Sequence, residues 1–273
     1  MTTSNHHFGG EHTKKKLDIL EYYSTCYSIA LNRYFKCVYI DAFAGTGEII
    51  TSSNEEIIGS AKLIIENENL PFKHLHFIEE DRKRYRELRK LIDSSGKTNA
   101  RAHCGDANTE IPEIIKAYPA NTRFLIFLDP YGLHIKYEML REISGAKLDI
   151  LMLFNARGVE RVAPIERSSL TNERINKLFE FFGSDIENQL YTTEQSNLFD
   201  GQATLTRERK LSDKLSKLYR RKLEDNFSLV KTIAKFQGRG TEFSLFLILS
   251  NESKSARNLA SKFLREIRKN LVK

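Results

Sequence analysis

The chain has 273 residues, 40% of them hydrophobic, which is enough to fill the core of one large α/β domain. Forty-three Lys and Arg against thirty-six Asp and Glu leave a formal charge of +7, a balance suited to a phosphate-rich partner such as nucleic acid. No apolar run reaches the about 18 residues of a membrane span. Met1 to Lys16 is polar, so neither a membrane anchor nor a secretory signal is expected and the expected location is cytoplasmic. Cys26, Cys37 and Cys104 are odd in number and far apart, with neither metal-ligand spacing nor disulfide density. They are expected as reduced core residues, and no metal site is expected.

Leu17, Leu20, Tyr23, Tyr27, Leu31 and Tyr34 recur at helical intervals and predict an amphipathic helix ending near Phe35. A strand, Cys37 to Ile40, follows directly and runs into Asp41-Ala42-Phe43-Ala44-Gly45-Thr46-Gly47. Glu48 to Ile58 reads as a polar loop, and Gly59-Ser60 opens a helix through about Asn67. Leu75 to Ile78 is a second strand and Asp81 to Ile92 a basic helix. Arg101 to Cys104 is a third strand, Thr109 to Tyr118 a helix, and Phe124 to Leu128 a strand apolar throughout, as one covered on both faces must nearly be. Lys136 to Ile143 is a helix and Leu148 to Phe154 a fifth strand.

Beyond Phe154 the alternation changes. Ile165 to Phe182 reads as helical, Gly183 to Gly201 as irregular, and Thr204 to Leu223 as a strongly basic helix suited to a nucleic-acid backbone. Phe227 to Phe236 and Phe243 to Leu249 are joined by a loop too short for a crossover, so they form a hairpin, and a last amphipathic helix docks on the sheet. The prediction is a Rossmann-like α/β fold of the class I methyltransferase type: a seven-stranded mixed sheet, its last strand antiparallel, with helices on both faces. One domain is expected over residues 1–273, with an N-terminal helix and a helical insertion at about 156–225.

Gly45 and Gly47 allow a sharp turn and close approach of a bulky cofactor to the main chain. Ile50 stands where a dinucleotide-binding loop has its third glycine, so a nicotinamide cofactor is disfavoured and S-adenosylmethionine is the expected one. Asp41, Glu79, Asp106 and Asp129 fall at the carboxyl ends of the first four strands. Asp41, Phe43, Gly45, Gly47, Glu79 and Asp106 are the candidate cofactor residues, Glu79 for the ribose hydroxyls and Asp106 for the adenine amine. Asp129-Pro130-Tyr131-Gly132 is the candidate catalytic turn. The Asp129 carboxylate and the carbonyl after it can accept both hydrogens of an exocyclic amine, and Tyr131 offers a face for an unstacked base.

The chain resembles the three-Cys-motif partner proteins through Thr13 to Tyr23, Asp41 to Gly47, Gly59-Ser60, Phe77 to Asp81, Gly105-Asp106 and Leu128 to Gly132, with Thr46 where that family commonly has Pro. The resemblance implies a class I methyltransferase-like fold and a partner bearing three cysteines, of a radical-enzyme type. Asp129 to Gly132 also looks like the D-P-F-G of tRNA guanine N2-methyltransferases. The expected function is methyl transfer from S-adenosylmethionine to an exocyclic amine of a nucleic-acid base. The alternative is a binding or scaffold subunit for the three-Cys partner, without methyl transfer of its own. His134 and Lys136 after the turn, and Asn155, Arg157 and Arg161 after the fifth strand, are further candidates for substrate contact.

Overall fold

The computed structural model describes residues 8–50, 56–194, 204–238 and 241–272. Helix α1 (Phe8–Leu31) leads into β1 (Cys37–Asp41), followed by β2 (Glu48–Ile50), β3 (Glu56–Ile58), α2 (Ser60–Glu66) and β4 (His74–Ile78). Next come α3 (Arg82–Ser95), β5 (Ala100–His103), α4 (Ala107–Lys116), β6 (Arg123–Leu128), α5 (Tyr137–Ile143) and β7 (Leu148–Asn155). The segment after β7 holds α6 (Ala156–Val162), a 3-10 turn (Arg167–Ser169), α7 (Asn172–Phe182), α8 (Glu187–Leu190), β8 (Tyr191–Glu194), β9 (Thr204–Arg207) and α9 (Ser212–Glu224). The hairpin β10 (Leu229–Gly238) and β11 (Thr241–Leu249) and the helix α10 (Lys254–Asn270) complete the fold.

Seven strands form one sheet in the order β10-β11-β7-β6-β1-β4-β5. β1, β4, β5, β6 and β7 pair in parallel, whereas β11 runs antiparallel to both β7 and β10. The last strand alone therefore opposes the other six, as the sequence predicts. Strand side chains alternate between two cores because successive Cβ atoms point to opposite faces. Val38 and Ile40 join one core with Ile111 of α4, Met139 of α5, Val159 of α6 and Tyr219 of α9. Cys37 and Tyr39 join the other with Leu20 of α1, Ile64 of α2, Leu88 of α3 and Phe263 of α10. No described helix is long and apolar enough to cross a membrane.

Five expectations need correction. Residues 48–58 were expected as loop, yet β2 and β3 pair antiparallel within them, with Ile49 opposite Ile57; residues 51–55 lie outside the described set. The helix expected from Ile165 begins only at Asn172, because Glu166 bridges to Thr206 and a 3-10 turn intervenes. The stretch expected as irregular contains α8 and β8, with 195–203 outside the described residues. The basic helix expected from Thr204 starts at Ser212, since Thr204–Arg207 pairs with Tyr191–Glu194 as a two-stranded sheet. The segment at 156–225 is thus helical with a strand pair inserted. Cys37 is buried, but Cys104 is exposed and Cys26 half-buried, so only one of the three cysteines is a core residue.

The first of these cores contains an aromatic stack. Tyr219 lies 4.6 Å from Phe181 and 5.1 Å from Phe154, centroid to centroid, and is fully buried, but its hydroxyl has no hydrogen-bond partner among the described residues. Burial pushes the phenol far above its ordinary pKa, which keeps it neutral. An orphaned buried hydroxyl costs about 1–3 kcal/mol. Tyr219→Phe should therefore raise the unfolding free energy by about 1 kcal/mol, read from the urea midpoint at constant slope. Tyr219→Ala, which empties the stack, should lower it by about 3–5 kcal/mol.

Candidate active site

β1 is hydrogen-bonded to β4 on one side and β6 on the other, and the chain visits these two neighbours in opposite directions across the sheet. The crevice at the carboxyl end of such a switch point is where open α/β sheets hold ligands. The chain leaves β1 along both neighbours: Ala42 N donates to Phe127 O and Ala44 N to Ile78 O, each at 3.0 Å. It then turns through Gly45 (φ 61°) and Gly47 (φ 86°), conformations that only glycine adopts cheaply. At Gly47 a Cβ would also meet Leu91 Cδ2 at 2.4 Å. The expected glycine turn is therefore present in its strained form.

Glu79, just past β4, secures this turn. Its carboxylate is buried, with 6% exposure, and buried carboxylates need donors. Oε2 accepts from Gly45 N at 3.1 Å; Oε1 accepts from Asp81 N at 2.9 Å and from Arg84 Nε at 3.0 Å. Asp81 in turn caps α3 through Lys83 N and Arg84 N, and those amide bonds hold its carboxyl below the usual range. Asp106 does not close β5. It caps α4, with Oδ1 accepting from Asn108 N at 2.9 Å and Asn108 Nδ2 at 2.8 Å. The same Asn108 amide donates to His134 O and its Oδ1 accepts from Lys136 N, both at 2.8 Å, which ties the entrance of α4 to the turn after β6.

Phe43, Glu79, Asp106, Tyr131, Leu133 and His134 line one cleft of about 270 Å³. Tyr131 is 77% exposed, an unusual position for a large aromatic side chain beside a cavity. Asp41 lies beneath the cleft rather than in its wall. It is completely buried, Oδ1 accepts from Phe43 N at 3.3 Å, and Oδ2 has no hydrogen-bond partner among the described residues. Burial pushes its carboxyl up to about 7, against the opposing effects of the Ser60 hydroxyl and the Phe43 amide, with Asp129 adding repulsion and Lys16 attraction. Asp129 is held by the ammonium of Lys16, which donates to Oδ2 from α1, 113 positions away in the chain.

Lys16, Arg84 and Asn108 are therefore site residues that the sequence reading missed. Capping preference flags Asn108 only weakly, and nothing local flags Lys16. Of the candidates after β7, Asn155 is buried and caps α6 through Gly158 N at 2.9 Å, and Arg157 is paired with the buried Glu160 at 2.6 Å. Both have structural partners in place of a ligand. Arg207 is buried too, donating to Ala163 O at 2.7 Å and Glu160 O at 3.0 Å, so it is no part of a basic face. On α9 itself Arg220 pairs with Glu224 and Lys222 with Asp225, while Lys214 pairs with Glu208. Among the described residues no group of three His, Cys, Asp or Glu is placed to hold a metal ion.

The chain matches no protein family and no curated protein. Among solved structures it is similar to protein LPL1258 of Legionella pneumophila, described under the label DUF519, at 11% identity over 96% of this chain and 93% of that one, with a TM-score of 0.53. It is also similar to Trm1 of Pyrococcus horikoshii, solved with S-adenosyl-L-methionine, at 11% identity and a TM-score of 0.47; the match covers 90% of this chain and 57% of Trm1, little more than half its length. At such identities the likeness speaks to the fold. The fold is the seven-stranded mixed α/β sheet expected from the sequence, in the order β10-β11-β7-β6-β1-β4-β5 with β11 alone reversed.

Asp41 supplies a pH test. Its folded pKa lies above that of an unfolded aspartate, so the native state binds the extra proton and stability falls as pH rises from about 4 to about 7. Asp41→Asn removes that loss. The thermal midpoint of the variant minus that of the wild type should be near zero at pH 4 and clearly positive at pH 8, as measured by scanning fluorimetry across the range.

Proposed function

We propose that the protein is an S-adenosylmethionine-dependent methyltransferase acting on an exocyclic amine of a nucleic-acid base. The observation that carries this reading is that Phe43, Glu79, Asp106 and Tyr131, each in the segment after a different strand, line a single cleft at the switch point. The residues fit the cofactor. Among the described residues Glu79 Oε2 carries one hydrogen bond, from Gly45, and retains a lone-pair site for a ribose hydroxyl. Asp106 spends Oδ1 on Asn108, which leaves Oδ2 for an adenine amine. Gly45 and Gly47 keep the main chain bare where a sulfonium chain would pass.

Bound S-adenosylmethionine supplies an already activated methyl group, so the chain's own task is alignment. Asp129 and the Pro130 carbonyl accept the hydrogens of the acceptor amine and direct its lone pair. Tyr131, exposed at the cleft mouth, stacks on the base. Lys16 compensates the Asp129 charge from one oxygen, and a carboxylate offers about four lone-pair sites, so one ammonium does not exhaust it. The Lys16–Asp129 pair also favours a second reading: with the turn engaged inside the chain, the protein serves as a cofactor-binding or scaffold subunit for a three-Cys-motif partner, the family that Thr13 to Tyr23 and the glycine turn resemble.

Two experiments test this. Glu79→Ala should weaken calorimetric binding of S-adenosylhomocysteine by about thirtyfold, roughly 2 kcal/mol for lost charge-assisted bonds; a folded variant that binds like the wild type removes Glu79 from the cofactor site. Asp129→Ala should abolish transfer of labelled methyl to cellular RNA and DNA while cofactor affinity stays nearly unchanged, because transition-state alignment is lost and ground-state cofactor contacts are not. Tight cofactor binding by the wild type with no labelled product, with or without a three-Cys partner, selects the scaffold reading.

A further inference from the structure

We infer that the outer face of α3 is the track that holds the phosphate backbone of a single-stranded nucleic acid on its way to the cleft. This inference rests on the nucleic-acid reading above. Arg82, Arg86, Arg89 and Lys90 line an open groove together with the half-buried Tyr85, the exposed Cys104 and a single acid, Asp93. Cys104 is followed directly by Gly105 and Asp106 of the cleft, and Arg84 of the same helix belongs to the cleft wall, so neighbouring residues of the chain border the groove and the cleft. The groove is a separate surface from α9, on which the sequence had placed the basic face.

The charges on α3 work against the helix itself. Arg82, Lys83 and Arg84 occupy its first turn, where the helix dipole favours anions, and no acidic residue stands there. Arg82 and Arg86, and Arg86 and Lys90, are like charges four residues apart, which destabilise a helix. Arg84 is neutralised by Glu79 and Lys90 by Glu87, but Arg82, Arg86 and Arg89 have no ion pair among the described residues. A polyanion along this face removes both penalties, and the positive end of the helix dipole adds to its attraction. Arg82 to Lys90 spans about 12 Å of helix, room for two or three phosphates of an extended strand. Tyr85 lines the groove between them, in the combination of basic groove and aromatic side chain that sequence-tolerant single-strand binding uses.

The test compares the wild type with an R82Q/R86Q/R89Q variant and with a K214Q/K217Q/R221Q variant of α9, by fluorescence anisotropy with labelled single-stranded RNA and DNA oligonucleotides across a salt series. The α3 variant should bind at least about tenfold more weakly at low salt, and its log–log salt slope should fall by about 2, for three lost phosphate contacts. The α9 variant should bind like the wild type. In wild-type protein without cofactor, the oligonucleotide should also slow iodoacetamide alkylation of Cys104 relative to Cys26, a readout that needs no substitution and decides the matter if circular dichroism shows the α3 variant misfolded. Wild-type binding that survives the α3 substitutions, or is lost with the α9 ones, or leaves Cys104 unprotected, overturns the track and leaves the nucleic-acid reading standing. No binding of either oligonucleotide by the wild type overturns both.

Discussion

The site depends on the satisfaction of one buried carboxylate. Glu79 is removed from water at the exit of β4 and must find its donors within the protein. It finds them in three places: the glycine turn after β1, the cap of α3, and the Arg84 side chain. Two of these bonds come from α3 and its cap and the third from the glycine turn, so the turn and the helix are both tied to the end of β4 by the same two oxygens. A single carboxylate thereby joins two of the elements that border the cleft. Asn108 does the same on the opposite side by joining the start of α4 to the turn after β6.

Beneath the cleft a second group of charges sets the electrostatics. Asp41 and Asp129 end adjacent strands and repel each other, and Lys16 reaches in from α1 between these charges. The ammonium favours ionised carboxylates, whereas burial holds the Asp41 carboxyl near neutrality. Helix α1 is thus part of the site as well as a cover for the sheet. Its apolar face, Leu17, Leu20, Tyr23 and Tyr27, packs on the core and so fixes the register at which Lys16 meets Asp129.

What could be read from the residues alone follows from how local the physics is. The strand at 124–128 was legible because burial on both faces leaves an uninterrupted apolar run, that at 148–154 because Asp149 alone interrupts one, and the hairpin because its loop is too short for anything else. Asp41, Glu79 and Asp129 stand at strand ends where the sequence places them, but Asp106 belongs to the cap of α4. The partners of these acids were not legible: nothing near Asp129 in the chain announces Lys16, and nothing near Glu79 shows that Gly45 N will reach it. Arg207 shows the same limit in reverse. Its charge suggested an exposed basic face, but three main-chain carbonyls satisfy the guanidinium inside the protein, and the strand it sits on exists only by pairing with β8.

The formal excess of positive charge is consequently distributed unevenly over the surface. On α9 the cations are largely balanced by Glu208, Glu224 and Asp225, and one of them, Lys222, rests over the Tyr137 ring at 5.1 Å. These arrangements stabilise the fold in the absence of any ligand. On α3 the cations crowd the wrong end of the helix dipole and are only partly balanced, so they cost stability in the free protein. Any polyanion that engages them recovers that cost on binding and stabilises the native state in proportion to its concentration. The difference between the two helices is one of position and pairing rather than of composition, which is why two basic stretches that look alike in the chain have opposite consequences in the folded protein.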